Sequence, residues 1–247
     1  MSKKNKALPV FKYDKSIKRA LVVVAHPDDV DFGSAGTVAT LTRKGVDVAY
    51  CLVTSGDAGG DDSVHTREER TEIREAEQRA AAEEVGVTNL TFLRWPDGQV
   101  EPTFLLRREI ARVIRTHKPD LVITQSPERN WERIRASHPD HMATGEATMR
   151  AVYPDARNPH AFPELLREGL SPHTVPLVWL NGSSPTMVVD ITKRFDQKHA
   201  ALMRHESQVG DNKGLKKMLK NWARLTAKNA GLKKGHLAEG FRVIVTS

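Results

Sequence analysis

Between residue 19 and about residue 153, short apolar runs alternate with longer stretches whose apolar positions recur at helical spacing. Leu21-Val22-Val23-Val24 is apolar at every position, the pattern of a strand covered on both faces. Gly33-Ser34-Ala35-Gly36-Thr37 leads into a helical stretch through Leu41 that Gly45 stops. Residues 46–53 read as a second strand, and residues 55–62, rich in Gly and Asp, as a loop. The charged, Ala-rich stretch 66–85 reads as a long helix ended by Gly86. Leu90-Thr91-Phe92-Leu93 gives a third strand, closed by the turn Trp95-Pro96-Asp97-Gly98. Helical spacing returns over 104–114, and Pro119-Asp120 precedes a fourth strand, Leu121-Val122-Ile123-Thr124. Residues 125–137 have no clear periodicity, and a helix follows His138.

This order predicts an α/β fold, a mostly parallel sheet with right-handed crossovers and helices on both faces. Beyond Tyr153 the pattern changes. Residues 154–172 are Pro-rich and irregular, then Val175-Pro176-Leu177-Val178-Trp179-Leu180 and Met187-Val188-Val189-Asp190-Ile191 read as two more strands. A helix over 193–206 and a basic helix complete the chain. The basic helix is expected to turn Leu215, Met218, Leu219, Trp222 and Leu225 inward and its cations to solvent. The reading is therefore a basic arm, residues 1–18, followed by one domain, residues 19–247, whose irregular C-terminal third wraps the rest.

Composition narrows the class. The 247 residues suit one large domain, and 39% hydrophobic with 28% charged residues is ordinary for a globular protein. No apolar run approaches the roughly 20 residues of a membrane span, and the N-terminus is too polar for a signal peptide. A cytoplasmic address is the expectation. The single cysteine, Cys51, excludes an internal disulfide or a thiolate cluster and reads as a small core residue. A net charge of +7 could favour an anionic substrate, nucleic acid or a membrane surface, but much of it sits between Lys213 and Lys234. The loop Gly56-Asp57-Ala58-Gly59-Gly60 could cradle a phosphate or be a plain flexible tip.

Two clusters carry chemistry. His26-Pro27-Asp28-Asp29 directly follows the first strand, and His138-Pro139-Asp140-His141 lies beyond the fourth. In an open α/β sheet, ligands bind at the carboxyl ends of the strands, so the two can meet. A catalytic zinc takes about three protein ligands and keeps one position open. His26 and Asp29 can face one point across the Pro-fixed turn, and one imidazole of the second cluster would complete the set. Asp28 and His138 are then acid–base candidates. Taken singly, Asp29 or Asp140 could merely cap a helix, and His26 could be a hydrogen-bonded core imidazole.

The run Ala25-His26-Pro27-Asp28-Asp29-Val30-Asp31-Phe32-Gly33, with Gly36-Thr37 and His138-Pro139-Asp140-His141, strongly resembles the LmbE-like family, the PIG-L type of N-acetylglucosaminyl-phosphatidylinositol de-N-acetylase. The likeness extends through Ile73-Arg74-Glu75-Ala76-Glu77, Val85-Gly86-Val87, Pro96-Asp97-Gly98 and Pro119-Asp120. It continues to Val189-Asp190-Ile191-Thr192 and His205-Glu206-Ser207-Gln208. The resemblance implies a Rossmann-like sheet and a zinc-dependent hydrolase removing an acetyl group from an N-acylated amino sugar. It implies Zn2+, or another divalent ion such as Fe2+, on His26, Asp29 and His141. Asp28 would be the general base, and His138 would stabilise the oxyanion or donate a proton, oriented by Asp140. Arg74 and Asp97 match positions that contact the sugar. Many members carry Glu directly after the Asp pair; here Val30 stands there and Asp31 follows.

The expected partner is a small N-acylated amino sugar or glycoconjugate, with no nucleic acid and no transmembrane segment; a homo-oligomer is compatible with the sequence. Three rivals stand beside this reading. A two-His, one-carboxylate iron oxygenase belongs on a β barrel, not on alternating strands and helices. The same metal site could serve an amidase of thiol conjugates or a hydratase or lyase step. A basic binding module gives no reason for two His-Pro-Asp clusters.

Overall fold

The computed structural model describes residues 7–60, 64–132, 134 and 137–247. Strands β1 (Arg19–Val24), β2 (Asp47–Thr54), β3 (Asn89–Trp95), β4 (Leu121–Gln125) and β5 (Leu177–Asn181) run parallel. With β6 (Met187–Asp190) and β7 (Ala238–Val245) they form one sheet in the order β3-β2-β1-β4-β5-β7-β6. The chain leaves β1 towards β2 and β3, then returns to place β4 on the other side of β1. That reversal opens a crevice at the carboxyl ends of β1 and β4.

Why the strands read as unbroken apolar runs is plain in the packing. Alternate residues of one strand enter opposite cores. Ala20, Val22 and Val24 join Val48, Tyr50 and Leu52 on one face; Leu21 and Val23 join Ala49, Cys51 and Val53 on the other. The first face is covered by α2 (Ala35–Thr42), α3 (Arg67–Glu84), α7 (Phe195–Met203) and α9 (Leu215–Asn229). The second is covered by α4 (Phe104–His117), α5 (Pro139–Arg150) and α6 (Pro163–Arg167). Short helices α1 (Asp29–Gly33) and α8 (Glu206–Val209) flank the crevice side of α7. Thr66 starts α3 with a capping box to Glu69. Cys51 is fully buried, and burial pushes its thiol up to about 12, so it is a core residue.

Two expectations change. The chain does not finish on the basic helix: β7 follows it and inserts antiparallel between β5 and β6. The C-terminal third thus extends the sheet rather than only wrapping it. On α9 the buried positions are Leu215, Leu219, Ala223 and Ala227, with Met218 packed at the edge. Trp222 and Leu225 are 49% and 56% exposed, so the inward stripe is narrower than expected. Of the expected arm, residues 1–6 lie outside the described residues; further along it, Phe11 N–H donates to Val188 O, and its ring meets Trp179 edge-on. No helix among the described residues is long and apolar enough to cross a membrane.

Strand β7 also carries a buried ion pair. Glu239 accepts from Lys198 Nζ at 2.7 Å and from the Gly36 and Thr37 N–H groups at 3.1 and 2.7 Å, joining β7 to α7 and the start of α2. Breaking a buried pair by removing one partner leaves an uncompensated charge and costs about 3–5 kcal/mol. Glu239→Ala is expected to lose that much in urea unfolding, and Glu239→Gln, which still accepts from α2, distinctly less. A loss within about 1 kcal/mol for Glu239→Ala, the size of an exposed pair, would contradict this account.

Candidate active site

The crevice is closed at its base by backbone. Ala25 N–H donates to Gln125 Oε1 at 2.9 Å, and Thr54 donates to Ala25 O through both N–H and Oγ1, tying the ends of β1, β2 and β4. The segment after β1 then turns at Asp28, whose φ of 85° is in the left-handed region, before α1 begins. Across the crevice, His138 caps α5, and His141 lies on its first turn. Gly145, one turn further, lets α5 approach the end of β4; a Cβ there would meet Gln125 O at 2.3 Å.

The structure brings His26, Asp29 and His141 to one point. His26 Nδ1 lies 3.2 Å from His141 Nε2 and 3.2 Å from Asp29 Oδ2, and His141 Nε2 lies 3.0 Å from Asp29 Oδ1. Donors about 2.0–2.1 Å from a tetrahedral ion stand about 3.3–3.4 Å apart, and this triangle of side chains, closed through both Asp29 oxygens, has pairwise distances of nearly that size. Burial pulls the His26 imidazole down, but hydrogen bonds to Asp140, Asp29 and Asp97 push it up to about 12. Asp29 is held well below the usual carboxylate range: burial raises it, and His141 and His26 outweigh burial. This surplus of negative charge around one imidazole fits a divalent cation.

The other ring nitrogen of His26 is oriented by two carboxylates. Nε2 lies 3.0 Å from Asp97 Oδ1 and 3.2 Å from Asp140 Oδ2. Asp140 is fixed by the N–H groups of Gly98 and Val100 at 2.7 and 3.3 Å, and Asp97 Oδ2 by Ala58 N–H. Ring nitrogens of His26, His138 and His141, and donor atoms of His26, Asp97 and Asp140, also lie close enough to form metal-binding groups. Asp97 and Asp140 are tied down by backbone donors, as carboxylates behind a metal-binding histidine usually are.

Asp28 sits beside this triangle. Its Oδ2 accepts from Arg74 Nη2 at 3.0 Å, and burial followed by the charge of Asp29 pushes it up to about 7, against the pull of Arg74. Arg74 is 3% exposed and also donates to Pro27 O and Gly56 O. The glycine of the 56–60 loop serves this contact: a Cβ on Gly56 would lie 2.2 Å from Arg74 Nη1. His138 is exposed at the rim. Its Nδ1 accepts from Asp140 N–H at 3.2 Å, so its hydrogen resides on Nε2. The Asp140 carboxylate itself turns to His26 rather than to His138. Burial, then the charges of His26 and His141, lower the His138 pKa, favouring the neutral ring.

Several residues that build the site carry no site role in the sequence reading. Glu75 accepts from Ser55 Oγ and, through both oxygens, from Arg94, whose φ is 58° where β3 shifts register against β2. This clamp sets the turn bearing Asp97. Gln78, Asp31 and His205 form a buried chain behind Asp28. Glu75, Asp31 and His205 stood inside the runs that carry the family resemblance, but Gln78 and Arg94 stood in none of them.

Comparison with known proteins gives a consistent result. The family model described as PIG-L, GlcNAc-PI de-N-acetylase, matches residues 21–152. The diacetylchitobiose deacetylase of Thermococcus kodakarensis is 32% identical over 230 residues, covering 92% of this chain and 84% of that protein. A probable N-acetyl-alpha-D-glucosaminyl L-malate deacetylase 2 of Bacillus cereus is 32% identical over 200 residues, covering 78% and 84%. The structure of N,N'-diacetylchitobiose deacetylase from Pyrococcus horikoshii superposes with a TM-score of 0.85 at 28% identity, covering 94% of this chain and 85% of that one.

Outer carboxylates behind a metal-binding histidine are worth about 10–100-fold in metal affinity or activity. If His26 holds a divalent metal, Asp97→Ala should weaken metal binding by a factor in that range, measured by competition with a chelating dye, while His26→Ala abolishes tight binding. Unchanged affinity in Asp97→Ala would remove it from the support of His26.

Proposed function

The chain belongs to the PIG-L family of GlcNAc-PI de-N-acetylases, and from that premise we propose that it hydrolyses the acetamide of an N-acetylated amino sugar, releasing acetate and the free amine. The observation that carries this reading is the meeting of His26, His141 and Asp29 donor atoms at 3.0–3.2 Å beside the buried carboxyl of Asp28. The two relatives described above are named for substrates with an N-acetylglucosaminyl unit and different attached groups. The acetamido sugar is therefore the part of the substrate we assign. The thiol-conjugate amidase and lyase alternatives gain no support from relatives named as deacetylases.

In this reading His26, His141 and Asp29 would hold a divalent ion, zinc by preference for a mixed nitrogen and oxygen set, with Fe2+ the other candidate. Such an ion polarises the acyl carbonyl and makes water more acidic. Asp28 takes the proton from the attacking water; its carboxyl changes state near neutrality, so it can hand that proton to the departing nitrogen. His138, neutral with its hydrogen on Nε2, donates to the carbonyl oxygen as negative charge develops there. Asp140 acts through His26, and its backbone N–H orients His138. Arg74 and Asp97, expected at the sugar, are engaged with Asp28 and His26. They meet the sugar only at what those contacts leave open.

The test is acetate release from N,N'-diacetylchitobiose and N-acetylglucosamine by the zinc-loaded chain. Activity is expected to vanish with a chelator and return with zinc. Asp28→Asn should keep its metal and lose about 10²–10⁴ in kcat, the usual contribution of a general base. Acetate release untouched by both the chelator and Asp28→Asn would contradict the reading.

A further inference from the structure

The turn that carries Asp28 is strained, and what holds it reaches far from the substrate. A non-glycine residue at φ 85° occupies a disfavoured region and persists only where its surroundings determine it. Arg74 holds the preceding carbonyl, Pro27 O, at 2.6 Å, and Gln78 Oε1 accepts the Asp28 N–H at 2.9 Å. The Gln78 amide is held at both ends: the Asp28 N–H can only donate, so it takes the amide oxygen, and the other end, Nε2, donates to Asp31 Oδ2 at 3.0 Å. The same Asp31 oxygen lies 2.8 Å from His205 Nε2, from the segment between α7 and α8. Gln78, Asp31 and His205 are each fully buried, so none of them can touch substrate.

Stability does not explain this chain. Asp31 Oδ1 and His205 Nδ1 are buried without a hydrogen-bond partner among the described residues, and a partly satisfied buried polar network is worse for stability than an apolar core. Its distinctive product is the orientation of one amide against one strained peptide. We propose that His205, Asp31 and Gln78 form a buried positioning chain that holds the Asp28 turn in its working geometry, so that the segment after α7 governs turnover without contacting substrate. This rests on Asp28 being the proton acceptor.

A double-mutant cycle between Asp28→Asn and Gln78→Leu, in the full zinc-loaded chain with N,N'-diacetylchitobiose as substrate, separates positioning from plain structure. Misplacing a catalytic group by about 1 Å can cost about 100-fold, so Gln78→Leu alone should lower kcat by about 10- to 100-fold with metal content and KM nearly unchanged. In the Asp28→Asn background the same change should cost less than about 3-fold, because the group being positioned is already gone. His205→Leu should behave like Gln78→Leu, while His205→Gln, which keeps an N–H donor for Asp31, recovers most of the rate. Those two variants carry the same comparison if Gln78→Leu does not fold. Equal factors in both backgrounds, or a loss seen only as lower metal content, would overturn the positioning chain and leave Asp28 as base. A fully active Asp28→Asn would overturn the base and this proposal together.

Discussion

The imidazole of His26 is held at both edges by carboxylates, and the arrangement of the crevice follows from that hold. Asp97 and Asp140 fix Nε2, which leaves Nδ1 directed at Asp29 and His141. Each of these carboxylates arrives from a different part of the chain: the strand β1 turn, the turn after β3 and the start of α5. They meet because β4 returns to the far side of β1, so the ends of the parallel strands face one crevice. Four carboxylates, those of Asp28, Asp29, Asp97 and Asp140, thus crowd around three imidazoles and the Arg74 guanidinium. Such a cluster gains from a bound dication, because burying acids without cations is unfavourable.

The same constraint separates the roles of two adjacent acids. Asp29 lies against His141 and His26 and stays ionised. Asp28, at a positive φ and paired with Arg74, is raised first by burial and then by the like charge of Asp29. Neighbouring titratable groups pushed apart in this way are the usual mark of divided acid and base work. Supporting this division costs backbone strain at Asp28 and at Arg94 and a buried polar chain, which the broad apolar cores on both sheet faces can offset.

Much of this was legible in the sequence because it is local. Strands buried on both faces are continuous apolar runs, and the two His-Pro-Asp clusters follow strand ends directly. What depends on distant partners was not legible. Asp97 and Asp140 read as a sugar contact and a partner of His138, yet both carboxylates reach His26, across contacts that local spacing does not encode. Arg74 read as a sugar contact, yet its guanidinium pairs with Asp28, 46 residues away in the chain. Strand β7 begins Ala238-Glu239-Gly240, where Glu239 faces a buried lysine, so its polar start hid the run Val243-Ile244-Val245. On α9, helical spacing gave the direction of the apolar stripe but not its width. Small alanines at 223 and 227 let the helix pack closely while Trp222 and Leu225 stay outside.

In the proposed site His26 presents Nδ1, not Nε2, to the metal. An anomalous-difference map from a crystal of the zinc-loaded chain, collected at the zinc edge, tests it directly. One peak is expected between His26 Nδ1, His141 Nε2 and the Asp29 carboxylate, at about 2.0–2.2 Å from each. A peak on the opposite edge of the ring, between His26 Nε2, Asp97 and Asp140, would contradict it.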